Sequence, residues 1–132
     1  MGGMATWADV ERIATGLPAV EESTTWGNRC WKVGGKTFVW VRPLGKKDRA
    51  DLGDAVPDGE VMAVRVDGEG GKAELLAAEP EVCFTVPHFD GFPAVLVRLD
   101  DVEGTLLTEL VEDAWQVMAP PKVRSDHGPR DA

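Results

Sequence analysis

His88 and Asp90 stand two positions apart in the run Val86-Pro87-His88-Phe89-Asp90-Gly91-Phe92-Pro93. An imidazole and a carboxylate at that spacing could share a proton or contribute two metal ligands, because residues i and i+2 of an extended segment project from the same face. A protein metal site normally takes three or more ligands from the chain. No other histidine, cysteine or clustered carboxylate falls at ligand spacing, so no metal is expected. The plain alternative is that His88 hydrogen-bonds loop backbone while Asp90-Gly91 makes the turn, and both readings stay open on the sequence. Phe89 and Phe92 gain little in solvent. The loop is therefore expected to fold back onto the domain and line a cleft, with Trp26, His88, Phe89, Asp90 and Phe92 as pocket residues for a small molecule or peptide.

The remaining chemistry-bearing residues point away from catalysis. Cys30 and Cys83 both sit in strand-like apolar runs, where free buried thiols are expected. Neither has a second cysteine at zinc-finger spacing. A nucleophilic cysteine needs a nearby base, and His88 is the one credible partner. Gly34-Gly35-Lys36 reads as a hairpin turn, since no Gly-Lys-Ser/Thr element opens a helix after it. Gly68-Glu69-Gly70-Gly71 precedes a helix and could offer backbone N–H groups to an anion, but Glu69 opposes that. No catalytic constellation and no cofactor fingerprint emerges; a non-enzymatic binding protein without a cofactor is expected.

Charge is unevenly spread. The chain carries −9 overall, which opposes indiscriminate binding to nucleic-acid phosphates. Yet between residues 28 and 50, Arg29, Lys32, Lys36, Arg42, Lys46, Lys47 and Arg49 face a single acid, Asp48. That segment carries +6 and the rest −15. It reads either as a solvated hairpin face with a charged loop or as a local anion-binding surface.

These residues must be held by a small set of elements. The 132 residues, 43% hydrophobic, suit one domain over residues 1–121 with a disordered polar tail over 122–132. Thr6 is a candidate N-cap for a helix with Trp7, Val10, Ile13, Ala14 and Leu17 on one face, ended by Gly16 and Pro18. Glu21-Glu22-Ser23 reads as a connector. Strands are expected over Thr24–Val33, Thr37–Val41, Glu60–Val66, Glu81–Val86 and Ala94–Leu99, with a hairpin turn at Gly34-Gly35. Pro43–Gly59 reads as a long mobile loop, and Lys72–Ala78 as a short helix. A last helix starts at Asp100 or Asp101 and carries Leu106, Leu107, Leu110, Val111, Ala114, Trp115 and Met118 at helical spacing. Alternation places Trp40 with Phe38 on one face, and Trp31 with Val33 and Arg29. Core packing is the ordinary role for such rings; an exposed Trp beside Arg29, Lys32 or Arg42 would instead make a stacking platform for single-stranded nucleic acid. The expected class is α+β, with a mainly antiparallel five-stranded sheet and the terminal helices packed on it. No run of eighteen apolar residues exists, so no membrane span is expected. Met1 to Ala8 lacks a signal-peptide pattern, Met1-Gly2-Gly3-Met4 leaves room for a second start, and a cytoplasmic protein is expected.

With that order in view, the chain resembles the MmcQ/YjbR family. The resemblance is carried by Leu17-Pro18-Ala19-Val20-Glu21-Glu22, Trp26-Gly27, Val33-Gly34-Gly35-Lys36-Thr37-Phe38, Val64-Arg65-Val66-Asp67, Pro80-Glu81-Val82-Cys83-Phe84, Pro87 to Pro93, Val95-Leu96-Val97-Arg98-Leu99 and Ala114-Trp115. It spans about Trp7 to Lys122 and implies a fold like that of type III secretion chaperones, α-β(3)-α-β(2)-α. It also implies the family's usual description as DNA-binding, with two hairpins acting like wings, but no catalytic residues. Three readings follow. The first is DNA binding through the basic hairpin and loop, residues 29–49. The second is a small-ligand or peptide pocket at the His88 loop. The third is a chaperone-like interaction protein acting as a homodimer rather than a monomer.

Overall fold

The computed structural model describes residues 5–127; Met1–Met4, with the question of a second start, lie outside the described residues. Helix α1 spans Trp7–Thr15. Thr6 caps it: its hydroxyl accepts from the Asp9 N–H at 3.3 Å, and the Asp9 carboxylate accepts from the Thr6 N–H at 2.9 Å. This reciprocal pairing satisfies donors the first turn would leave open. Val10, Ile13 and Ala14 form its buried face.

Strand β1 (Val20–Thr25) follows, then β2 (Asn28–Val33) and β3 (Lys36–Val41). The expected single strand Thr24–Val33 is thus two strands, and Glu21-Glu22-Ser23 is part of β1 rather than a connector. The chain reverses at Trp26-Gly27, both at positive φ (+55° and +79°), and β1 pairs along its length with β2, from Val20↔Val33 to Thr25↔Asn28. Such primed turns favour Asn, Asp or Gly at their first central position, so a tryptophan there conceals the turn. Gly34-Gly35 makes the second reversal as expected, at +59° and +79°.

The expected pairing of Trp40 with Phe38 on one face fails for a local reason. Trp31 pairs with Val39 but Lys32 with Thr37, leaving Phe38 as an extra residue on β3. This bulge turns Phe38 and Val39 to the same side. Phe38 joins the helix-side core, and Trp40 packs against the opposite cluster.

Pro43–Gly59 is not simply a loop. It contains α2, Lys46–Leu52, and a short 3-10 turn over Gly53–Ala55. Asp48, 6% exposed, accepts from the Gly45 N–H at 3.0 Å and pairs with Arg42 at 3.2 Å, which anchors a helix that the surrounding glycines and prolines disguise. Strand β4 is Val61–Arg65; α3 runs Gly68–Ala78, longer than the expected Lys72–Ala78; β5 shrinks to Cys83–Phe84; and β6 is Ala94–Arg98. Leu99–Asp101 form a 3-10 turn, so the last amphipathic helix, α4, starts later than expected, at Gly104, and runs to Met118. Pro121–His127 then form α5, so the expected disordered tail begins in helix; Gly128–Ala132 lie outside the described residues.

The chain is therefore α+β, with six strands rather than five, in the order β1-β2-β3-β4-β6-β5 and antiparallel throughout. One face carries the main core: Val10 and Ile13 from α1 and Leu107, Leu110, Val111, Ala114 and Trp115 from α4 meet Trp31, Val39, Met62, Val64, Val95 and Val97 from the strands. Full burial of side chains this size contributes about 1.5–3 kcal/mol each. The Trp115 indole N–H donates to the Pro18 carbonyl at 3.1 Å, tying α4 to the entry of β1. The other face is covered only in part. There Val61, Ala63, Phe84, Ala94 and Leu96 meet Val86, Phe89, Trp40, Leu44 and Leu52. What that second face leaves open is the cleft.

Candidate functional site

A cleft of about 1030 Å³ lies on this second face. That volume is of the size that holds a small-molecule ligand. Cys30 and Trp40, cross-strand partners on β2 and β3, both line it. The β1–β2 turn borders it through Thr25, Trp26 and Asn28, the start of β3 through Lys36 and Thr37, and the segment after β4 and β5 through Arg65, His88, Phe89 and Phe92.

An aromatic triad forms the wall. Trp40 lies 6.4 Å from both Phe89 and Phe92, centroid to centroid, and the two phenylalanines meet edge to face at 5.6 Å. Phe89 is buried, whereas Phe92 is 39% exposed. Two guanidiniums lie over these rings: Arg42 is 5.3 Å from the Phe89 centroid and Arg65 4.9 Å from that of Phe92. Planar cations on aromatic faces gain electrostatic attraction and lose little of their capacity to bind anions at their edges.

The two arginines are not equivalent. Arg42 is committed to Asp48 at 3.2 Å. Arg65 donates from Nε to the Pro93 carbonyl at 3.2 Å and pairs with no carboxylate among the described residues. Burial alone pulls its guanidinium below the ordinary value, which marks a cation whose water has been removed without a counter-charge being supplied.

Lys72, on α3, holds the aromatic loop from behind. It is 6% exposed, and its ammonium donates to the carbonyls of Phe89 at 2.5 Å and Phe92 at 3.0 Å. It fixes the loop that the sequence places against the domain but contributes no charge to the cleft lining.

Of the expected pocket residues, Trp26, His88, Phe89 and Phe92 line the cleft, and Asp90 does not. Asp90 ends the Pro87–Phe89 3-10 turn, its N–H donating to the Pro87 carbonyl at 3.0 Å, and Gly91 completes the reversal at φ +77°. That turn breaks the extended geometry that would have put His88 and Asp90 on one face. No group of three or more metal-ligating side chains occurs among the described residues. The His88 side chain makes no hydrogen bond there. Cys30 and Cys83 are free and buried. Burial, reinforced by Glu79, pushes the Cys83 thiol up to about 12, so it stays protonated and unreactive at neutral pH.

The seven basic residues of the 29–49 segment are dispersed. Arg29 lies over the Trp31 ring at 5.1 Å and is held by Glu22 at 2.9 Å and by Glu11. Lys36 and Arg42 line the cleft. Lys32 lies on β2 outside its lining. Lys46, Lys47 and Arg49 lie on α2, where Lys47 pairs with Asp51 at 3.5 Å. Trp40 and Arg65 were not marked as pocket residues by their sequence neighbourhood: the bulge at Phe38 sets the side Trp40 faces, and Arg65 meets the cleft only through the β4–β6 pairing Arg65↔Ala94.

No helix among the described residues is long and apolar enough to cross a membrane. A crystal structure of the Deinococcus radiodurans protein DR2400, which carries a DUF419 domain, superposes with a TM-score of 0.67 over 98% of this chain and 93% of that one, at 23% identity. That likeness shows the fold. Uncharacterized proteins of Mycobacterium bovis (Mb2600) and Mycobacterium tuberculosis (Rv2570) are each 50% identical over 120 residues, covering 89% of this chain and 91% of theirs. The YjbR family model matches residues 15–117. With most of its length matched in this way, the chain belongs to the YjbR family.

Proposed function

We propose that the protein is a non-enzymatic binding protein whose cleft takes a small organic anion, bearing phosphate or carboxylate. One observation carries this reading. In a chain of net charge −9 with 23 acidic residues, the cleft is lined by Lys36, Arg42, Arg65 and His88 and by no carboxylate among the described residues. A cleft walled by apolar rings focuses the field of Lys36 and Arg65, the two lining cations with no paired carboxylate among the described residues, and raises the local concentration of an anion. Arg65 is the residue with donors to spare, and its fork matches an oxyanion.

DNA binding through residues 29–49 is the second reading. It is favoured by Lys32, Lys36, Lys46 and Arg49, which pair with no carboxylate among the described residues. Against it, Arg29, Arg42 and Lys47 are already neutralised by acids.

Calorimetric titration with ribose 5-phosphate and, separately, labelled single- and double-stranded DNA at low then physiological salt tests both. The cleft reading expects saturable binding of the small phosphate that Arg65→Gln or Lys36→Glu weakens about tenfold or more, the loss of one charge-assisted contact. Absence of binding, or binding indifferent to both substitutions, overturns it. Tight DNA binding with a steep salt dependence, lost on Lys46→Glu with Lys47→Glu, would favour the second reading instead.

A further inference from the structure

Trp26 is 95% exposed, the extreme for a large apolar side chain among the described residues. It also occupies a backbone conformation, φ +55°, that branched or bulky residues avoid and that Asn, Asp or Gly adopt without penalty. It is the first central residue of a tight turn closing β1 on β2, followed by Gly27 at φ +79°. Neither packing nor turn chemistry explains a tryptophan there. The structure offers one other setting for it: the indole lines the cleft, and the turn begins two residues, about 7 Å, beyond the Cys30–Trp40 pair along β2. The same cleft is lined by Phe92, itself 39% exposed and beneath the Arg65 guanidinium.

We propose that Trp26 is a ligand-stacking residue and that the anion taken by the cleft carries a planar ring, the chemistry of a mononucleotide or a comparable aromatic phosphate. This rests on the anion-binding reading above. The ring would stack on the exposed indole, which has two free faces, while the phosphate meets Arg65. Such stacking tolerates different rings, because every planar heterocycle offers a π-face. The strained turn is then retained for binding, as strained backbone often is at functional sites.

The test compares two probes of equal phosphate charge, adenosine monophosphate and ribose 5-phosphate, on wild type, Trp26→Ala, Trp26→Phe and Trp26→Asn, with a thermal melt of each variant. The expected result is that wild type prefers the ring-bearing probe. Trp26→Ala and Trp26→Asn lose tenfold or more in affinity for it, Trp26→Phe keeps most of it, and ribose 5-phosphate binds all four alike. Trp26→Asn is expected to melt no lower than wild type, which separates a binding role from a packing one. If ribose 5-phosphate binds in an Arg65-dependent way but adenosine monophosphate shows no Trp26-dependent preference, the stacking proposal is overturned while the anion site stands. If neither probe binds wild type, both fall. A lowered melting temperature for Trp26→Asn with unchanged affinity would also overturn the proposal, by assigning the indole to the fold.

Discussion

Lys72 shows how a single side chain can decide whether a loop is a site or merely a turn. Its ammonium is buried with two carbonyl partners, those of Phe89 and Phe92, and no carboxylate among the described residues. A lysine in that position costs desolvation, and the loop geometry offsets it. Replacing Lys72 with Met keeps the volume but removes the charged donor to the Phe89 carbonyl, which then keeps only the Phe92 N–H at 3.0 Å. A loss of about 1–3 kcal/mol in urea unfolding is expected, together with weaker binding in the cleft because the Phe89–Phe92 wall is no longer fixed. Unchanged stability would mean that water replaces the ammonium and that the loop is held by its aromatic contacts alone. The lysine was legible only as part of a short helix; its role depends on the packing of α3 beside β6, which no local pattern encodes.

At the scale of elements, the two hairpin turns differ instructively. Gly34-Gly35 announces itself, and the structure gives a second reason for Gly34: a Cβ there would lie 2.6 Å from Pro120 Cγ, at a backbone φ of +59°. Gly34→Ala therefore meets both a strained conformation and a clash with the segment after α4. It is expected to destabilise the fold by about 1–3 kcal/mol, measurable as a shift in urea midpoint; Gly35→Ala, with open space at its Cβ, should cost less. A Gly34→Ala variant as stable as wild type would show that the contact with Pro120 yields freely. Trp26-Gly27 makes the same kind of turn without the same signature, and so Glu21-Glu22-Ser23 of β1 resembles a connector and Thr24-Thr25 a continuation of β2. Its sequence, Val-Glu-Glu-Ser-Thr-Thr, is that of an edge strand with little buried surface, and edge strands carry the weakest apolar alternation. The helix α2 was concealed for a related reason: its stability comes from the Asp48 cap and the Arg42 pair rather than from an apolar stripe.

Across the whole molecule, charge sets the response to pH. The Glu22 carboxyl is held below its ordinary value chiefly by its hydrogen bond with Arg29, and that of Asp9 by the Thr6 backbone N–H. Groups depressed in this way contribute stability that is present above their unfolded values near 4 and is lost as pH falls through the lower folded ones. Opposing this, the net charge of −9 diminishes toward the isoelectric point of about 4.6, and self-repulsion diminishes with it. Stability is therefore expected to be level or to rise slightly from pH 7 to about 5 and to fall below about pH 4. Urea midpoints across that range check the shape. Glu22→Gln should flatten the acid limb, and a midpoint unaffected by acid would show that these two pairings contribute nothing to folding.

The sequence by itself determined the class of fold, the family resemblance, the amphipathic faces of α1 and α4 and the strands β3, β4 and β6, because periodicity and capping are local and the buried strands are rich in branched apolar residues. It also pointed to His88, Phe89 and Phe92 as residues lining a cleft, since aromatics in a turn need a reason to be there, whereas the turn at Trp26 was hidden within an expected strand. Tertiary structure alone decided the rest. The bulge at Phe38 sent Trp40 to the second face, the 3-10 turn at Pro87–Phe89 separated Asp90 from His88, and strand order brought Arg65 into the cleft. Tertiary placement also split the basic segment, sending Arg29 to glutamates on α1 and β1 and leaving Lys36 and Arg42 at the cleft. Apart from the local turn at Pro87–Phe89, each of these depends on which residues meet across paired strands and packed elements, and that is fixed by the register and packing of the whole sheet.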